Sequence, residues 1–212
     1  MNEDERNERR AQIQSAAFEL LREVGYRKTS MLMIAKRAQA SNQTLYAWYS
    51  NKQQLFRSII EDGGMAVREQ LENSLRGGDD PLRTLADLGP TLLRFTTDAN
   101  AITMNRAAVI DAAETGVLAE AIDEVGRGCI YPLICALMER LVNERVFAPQ
   151  VDTEDAAQTY VALLFGEVQL RQALGTMPPC DEAEIRRRSA RAFELTCSLY
   201  RAPRKRRRTA QP

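Results

Sequence analysis

The stretch TSMLMIAKRAQASNQTLYAWYSNKQQLF, residues 29–56, has room for two short helices and a tight joint, and this restricts sharply what the chain can become. Ser30 is placed to cap a helix over Met31 to Ala38, in which Met31, Ile34, Ala35 and Ala38 recur at helical spacing. Gln39 to Ser41 form the joint, and Ser41 can cap a second helix from Asn42 to Tyr49. Such a cap leaves backbone N–H groups beside Asn42, Gln43 and Thr44 free to face phosphates. Asn and Gln each carry a donor next to an acceptor, which matches the N6 and N7 edge of adenine, and the Thr methyl suits thymine. This is the layout of a helix-turn-helix, whose second helix reads base edges with its N-terminal residues while the first crosses the DNA backbone.

The flanks support that reading. Ile13, Ala16, Ala17, Leu20, Leu21 and Val24 form one apolar stripe of a preceding helix, which Gly25 ends. After Tyr49, Ser50 and Gln53 fit a capping box opening a long helix to about Leu75, with Leu55, Phe56, Ile59 and Ile60 apolar. Lys52 falls in the first turn of that helix, where the dipole disfavours a cation, so it needs a compensating partner. A DNA phosphate would serve.

From Ile13 to Phe56 the chain resembles the DNA-binding domain of the TetR family of transcriptional regulators. The elements of that pattern stand in order: the helix Ile13 to Val24, Gly25-Tyr26, Thr29, Ile34-Ala35-x-x-Ala38, Ser41, Thr44-Leu45-Tyr46, Tyr49, Lys52 and Leu55. The resemblance implies that Thr44, Tyr46, Tyr49 and Lys52 lie at or near the sugar-phosphate backbone, with Asn42, Gln43 and Thr44 as base readers. Ser30, Leu32 and Ser41 complete the candidate DNA-binding set. Two positions depart from the pattern. Gln39 stands where the family carries Gly, so the joint requires either a positive φ at some cost or a different turn. Leu32 and Met33 stand where the family exposes polar residues; either both pack on the first helix, or Leu32 meets thymine methyls or DNA sugars.

Charge is distributed to match. Residues 1–60 carry ten Lys and Arg against six acids, residues 61–200 carry 13 against 23, and residues 201–212 carry six against none. A basic head on an acidic body orients the encounter with a polyanion and makes affinity depend steeply on salt. No apolar run approaches the roughly 18 residues of a membrane span, and the charged start NEDERNERR differs from a secretory signal, so a cytoplasmic protein with no membrane partner is expected. The chain has no His, and Cys129, Cys135, Cys180 and Cys197 show no C-x-x-C spacing, which argues against a metal site or disulfide framework. Buried thiols are the default, although a redox-sensing pair at Cys129 and Cys135 stays open. No nucleophile and base stand at an interpretable spacing, so neither an enzyme nor a cofactor is expected.

The rest reads as helix. Leu82 to Thr97, kinked or divided at Gly89-Pro90, is followed by Asn105 to Ala113, Val117 to Val125, Ile130 to Val146, Thr153 to Leu174 and Glu182 to Tyr200. The expected fold is all-α, with an N-terminal three-helix DNA-binding domain over residues 1–52, a larger helical ligand-binding and dimerisation domain over 53–200 and a basic disordered tail over 201–212. That tail could add phosphate attraction, bind a partner or be merely solvated. Ala156, Tyr160, Leu163, Leu164, Val168 and Leu174 line one of the last two helices, and Ile185, Ser189, Ala192, Phe193, Thr196 and Leu199 the other, giving an antiparallel pair. The order of segments beyond the head is similar to the C-terminal domain of AefR-like regulators, and the resemblance implies that two such pairs form a dimeric four-helix bundle. Twofold symmetry is also physically required, because one helix-turn-helix makes too few base contacts for tight specific binding, whereas a homodimer repeats the head on a palindromic double-stranded DNA operator.

The resemblance further implies a small-molecule inducer bound among the central helices, for which Phe95, Met104, Ile110, Tyr131, Met138 and Phe165 could provide an apolar lining. Glu167 is expected to pair with Arg171 one turn later. A ligand-responsive repressor is thus the leading reading. An activator, a regulator of the same fold triggered by a protein or an oxidant, and a nonspecific DNA binder remain as alternatives.

Overall fold

The computed structural model describes residues 3–202, in which every regular element is helical. The head consists of α1 (Glu3–Lys28), α2 (Met31–Arg37) and α3 (Asn42–Trp48) around buried Ile13, Leu20, Tyr26, Ile34, Leu45, Leu55 and Phe56. The first helix begins ten residues ahead of the start marked by the apolar stripe. Its charged early turns are held by specific partners instead: Arg6 lies 5.8 Å from the Trp48 ring centroid, Arg10 pairs with Asp62 at 3.1 Å, and Gln14 donates to Asp62 at 2.8 Å. Gly25, at φ 79 and ψ 167, breaks α1 near its end, as the sequence anticipates.

The body follows with α4 (Lys52–Gly77), α5 (Pro81–Thr97), α6 (Ala99–Ala112) and α7 (Val117–Asp123). A π-helical segment, Glu124–Ile130, leads into α8 (Tyr131–Asn143), and α9 (Thr153–Phe165), α10 (Val168–Ala173) and α11 (Glu182–Tyr200) complete the fold. The cap of α4 is Asn51, whose side chain accepts from the Gln54 N–H at 2.8 Å, in place of the expected Ser50. At 26 residues, α4 runs about 39 Å from the head into the body.

Capped by Asp98, α6 begins six residues ahead of the expected Asn105, and three further body segments differ from expectation for identifiable reasons. Gly89-Pro90 does not divide α5, because tertiary packing fixes the helix there. A Cβ on Gly89 would stand 3.0 Å from both Ser189 Cβ and the Tyr160 hydroxyl, so glycine is what lets α5 approach α9 and α11, and Tyr160 donates to the Leu85 carbonyl at 3.2 Å. The link expected after Val125 is instead a widened helical turn, which presses Val125 into the gap left by Gly64 of α4; a Cβ on Gly64 would fall 2.3 Å from Val125 Cγ1. The single helix expected from Thr153 to Leu174 breaks at Gly166, φ 48 and ψ −122. The break frees α10 to turn against α6, where the Arg106 guanidinium donates to the Gln172 and Ala173 carbonyls at 2.8 and 3.0 Å.

The last helices pair as expected, and α11 begins and ends at the predicted residues. Ala156, Tyr160, Leu164 and Val168 from one side, and Ile185, Ser189, Ala192 and Thr196 from the other, are buried. The Tyr200 hydroxyl donates to Asp155 at 2.7 Å across the pair. Leu170, Leu174 and Leu199 are each more than 60% exposed, and Leu195 is 36% exposed. Arg201 and Ala202, grouped by sequence with the basic tail, hold the body's edge: Arg201 bridges Phe147, and the Ala202 N–H donates to the Val146 carbonyl at 3.1 Å. The rest of the tail, from Pro203 on, lies outside the described residues.

Gly89→Ala should destabilise the protein by about 1–3 kcal/mol through overpacking. Gly77→Ala, where nothing lies within 4 Å of the added Cβ, should be neutral or stabilising. Equal thermal unfolding midpoints for the two variants would refute the close-approach argument.

Candidate nucleic-acid interface

The reading head is assembled from short-range contacts. Ser30 Oγ accepts from the Met33 N–H at 3.3 Å, and Ser41 Oγ accepts from the Thr44 N–H at 2.9 Å and shares a 2.7 Å hydrogen bond with the Thr44 hydroxyl. Between the two helices Gln39 adopts φ 51, so the first of the two possible joints is the one formed. The carbonyls this turn exposes are gathered by Arg9, whose guanidinium donates to Ala38 O at 3.3 Å and Gln39 O at 3.5 Å. Arg37 fastens α2 to α1 by pairing with Glu19 at 3.1 Å and Glu23 at 2.7 Å. The hydrogen bond from Arg37 also holds the Glu23 carboxyl below the usual range.

The structure sorts the sequence-derived DNA-binding residues into two groups. Ser30, Ser41, Asn42 and Gln43 are exposed, Tyr46 is 53% exposed and Thr44 is half-buried beside its cap. The two apolar residues on α2 separate: Met33 packs against the core, while Leu32 stays 61% exposed on the head. Tyr49 and Lys52 turn inward instead. Tyr49 is buried at 6% exposure, edge-on to Trp48, because it closes the core where α3 ends.

Lys52 donates from Nζ to the Tyr26 carbonyl at 2.9 Å and lies 4.0 Å from the Tyr26 ring centroid. The partner its unfavourable dipole position demands is therefore found within the protein, at the carbonyl end of α1. Burial pushes the Lys52 ammonium below its ordinary pKa, opposed by the fields of Glu114 and Asp111.

Asp111, which the sequence reading does not single out, is fully buried at the end of α6. Its side chain accepts from the Tyr26 hydroxyl at 2.9 Å, the Thr115 hydroxyl at 2.8 Å and the Leu118 N–H at 3.1 Å. Burial, then the hydrogen bond to Asp111, raises the Tyr26 hydroxyl well above the usual tyrosine pKa. The one available signal was an acid inside the apolar run RAAVIDAA, which is unfavourable unless satisfied by donors. Outside this buried contact, Arg27 pairs with Glu114 at 2.7 Å and Arg22 donates to Asn100 at 2.8 Å.

The six proposed ligand-lining residues differ in burial. Met104 and Met138 are buried core, Phe95, Tyr131 and Phe165 pack partly buried against it, and Ile110 is 37% exposed. Phe95 is fixed against Gly63, and the Tyr131 hydroxyl donates to the Glu154 carbonyl at 3.3 Å. None of them borders the groove of about 380 Å³ between α4 and α5, which has Val67, Leu71 and Leu88 below and Asp79, Asp80, Arg83 and Asp87 around it. Glu167 pairs with Arg171 at 3.2 Å, as expected. All four cysteines are free thiols. No acid or cysteine cluster suited to a metal ion occurs among the described residues, and none of their helices is long and apolar enough to cross a membrane.

Comparison with known proteins agrees with this geometry. Residues 13–59 match the family model of bacterial regulatory proteins of the tetR family, and residues 83–202 match that of the C-terminal domain of AefR-like transcriptional repressors. No curated protein sequence matches significantly. Among solved structures, a TetR-family transcriptional regulator assignment from Mesorhizobium loti superposes with a TM-score of 0.76 at 21% identity, covering 95% of this chain and 100% of its own. The flavonoid-responsive regulator FrrA is 26% identical with a TM-score of 0.64, covering 93% of this chain and 99% of its own. SmeT, in complex with triclosan, is 20% identical with a TM-score of 0.74 and 92% coverage of both chains.

If Gln39 bears the cost of its positive φ, Gln39→Gly should raise stability by about 0.5–1 kcal/mol in denaturant unfolding. A loss of stability would show that the turn is unstrained.

Proposed function

The chain belongs to the tetR family of bacterial regulatory proteins and is a transcription regulator rather than an enzyme, and from that premise we propose that it is a homodimeric, ligand-responsive repressor of a palindromic operator. The observation that carries the proposal is the exposed start of α3, where Asn42 and Gln43 stand free beside the Ser41 cap with Tyr46 one turn on. Asn42, Gln43 and Thr44 read bases in the major groove, while Ser30, Ser41 and Tyr46 fix the register on the backbone. Leu32 adds apolar contact to thymine methyls or sugars, which accounts for its exposure.

Leu170 of α10, Leu174 at its C-terminal cap, and Leu195 and Leu199 of α11 supply the apolar surface for a second copy. Two heads on a twofold axis give the number of base contacts that one head lacks. FrrA is responsive to flavonoids and SmeT has been captured with triclosan, and a small molecule is the trigger we assign to this chain as well. Such an inducer must bind the DNA-incompetent state better than the competent one, and its coupling free energy equals the operator affinity it removes.

Selection of duplexes from a random library by the purified protein should yield a palindrome. Tyr46→Ala should weaken every site, Gln43→Ala should relax particular base positions by about 1–3 kcal/mol each, and Leu32→Ala should lose thymine preference. Enrichment without sequence preference would contradict the proposal and favour nonspecific binding. Independently, Leu195→Glu combined with Leu199→Glu should give a monomer in sedimentation and abolish palindrome binding; a dimer that persists would place the interface elsewhere.

A further inference from the structure

We propose that Asp111, a body residue remote from the base-reading helix, is a positioning residue for operator binding, acting through Tyr26. The inference rests on the operator-reading proposal above and assigns it a determinant outside the head's DNA face.

Tyr26 occupies a pivot. It follows the break at Gly25, so the turn it sits in is not held by continuous helix. Its ring packs edge-on against Phe56 of α4 at 5.7 Å between centroids, its carbonyl and ring hold the Lys52 ammonium, and its hydroxyl enters the body to reach Asp111. Thr29, two residues before α2, is tied back to the same turn through the Gly25 carbonyl, to which its hydroxyl donates at 2.8 Å. A displacement of Tyr26 therefore moves the start of α2 and the start of α4 together.

Asp111 is in turn a fixed point of the body. Its backbone carbonyl accepts from the N–H groups of Glu114, Thr115 and Gly116 at 2.8, 2.8 and 3.0 Å, and its side chain receives the Leu118 N–H at the start of α7. One residue thus organises the α6–α7 corner and grips the head.

Magnitudes favour this contact over its neighbours. Arg27–Glu114 has side chains 68% and 40% exposed, and a solvent-exposed pair of that kind contributes little. The Tyr26–Asp111 hydrogen bond is buried, and breaking it leaves an unsatisfied polar group without water to replace the partner. Among the described polar contacts from α1 to the α6 region, this is the buried one and so the best able to hold the head at a fixed angle, and in a dimer the angle of each head sets the separation of the half-sites.

The test uses the full chain and two variants. Tyr26→Phe keeps the ring on which Lys52 and Phe56 pack and removes only the hydroxyl, while Asp111→Asn keeps the volume. Inserting one base pair between half-sites rotates them by about 34° and moves them about 3.4 Å apart, so a rigid wild-type dimer should lose affinity steeply, tenfold or more. In either variant that spacing penalty should shrink severalfold at fixed salt, an effect that loss of stability alone would not produce. Trp48, the chain's single tryptophan, lies in the head, so its fluorescence anisotropy in the DNA-free protein should fall in both variants as the head gains local rotation. A wild-type spacing penalty together with wild-type Trp48 anisotropy in Tyr26→Phe would overturn the inference. Should the wild type enrich no operator, the repressor proposal fails by itself, and the anisotropy still decides whether Asp111 holds the head. If Asp111→Asn does not fold, Tyr26→Phe alone decides.

Discussion

A single uninterrupted helix, α4, runs through both the head and the body along one continuous core. Leu55 and Phe56 complete the head, while Val67 and Leu71 are buried in the body a few turns later. An α-helix about 39 Å long cannot bend freely along its length, so the head cannot move far without α4 moving too. Near its middle, Gly63 and Gly64 remove the side chains that would collide with Phe95 of α5 and Val125 of the π-helical segment. Here Phe95 and Val125 lie close against the α4 backbone, and displacement of either would press on the helix that carries Lys52. The Arg57 guanidinium, reaching Glu61 on α4 and Glu120 and Glu124 beyond it, adds a partly exposed polar tie along the same edge.

The chemistry of the joint explains an arrangement that is unfavourable piece by piece. A lysine in a first helical turn opposes the dipole, and a fully buried aspartate opposes solvation. Lys52 finds the carbonyl of Tyr26 at the negative end of α1, and Asp111 finds two hydroxyls and an amide. The two unfavourable placements are resolved by the same residue, which makes Tyr26 the hub of the region. Of the head's other polar ties, Arg37 to Glu19 and Glu23 lie within the head and stiffen it, while Arg27–Glu114 and Arg22–Asn100 reach the body from exposed positions.

What the sequence disclosed depended on how local the cause was. The caps at Ser30 and Ser41, the break at Gly25 and the limits of α11 follow from side chains within a few residues, and each lies where the sequence placed it. The positive φ of Gln39 was one of two stated options, and the guanidinium of Arg9, distant in sequence, supports it. Gly89-Pro90 reads locally as a place to kink or divide the helix, and α5 stays undivided there as Tyr160 and Ser189 approach from helices much later in the chain. Lys52 was expected at a phosphate because its need for a partner was legible while the identity of that partner was not. Asp111 was missed altogether, since a buried acid becomes meaningful only once its donors are placed around it. The six apolar ligand candidates carry the opposite ambiguity: composition cannot distinguish a cavity wall from packed core.

Coupling between head and body is the central physical claim, and linkage makes it measurable from either end. Amide hydrogen exchange at Leu118, whose N–H is held by Asp111, reads the body side of the joint directly. Saturating the protein with its selected operator should slow exchange at Leu118 along with exchange in α2 and α3. Protection confined to the head, with Leu118 exchanging at its DNA-free rate, would contradict the account.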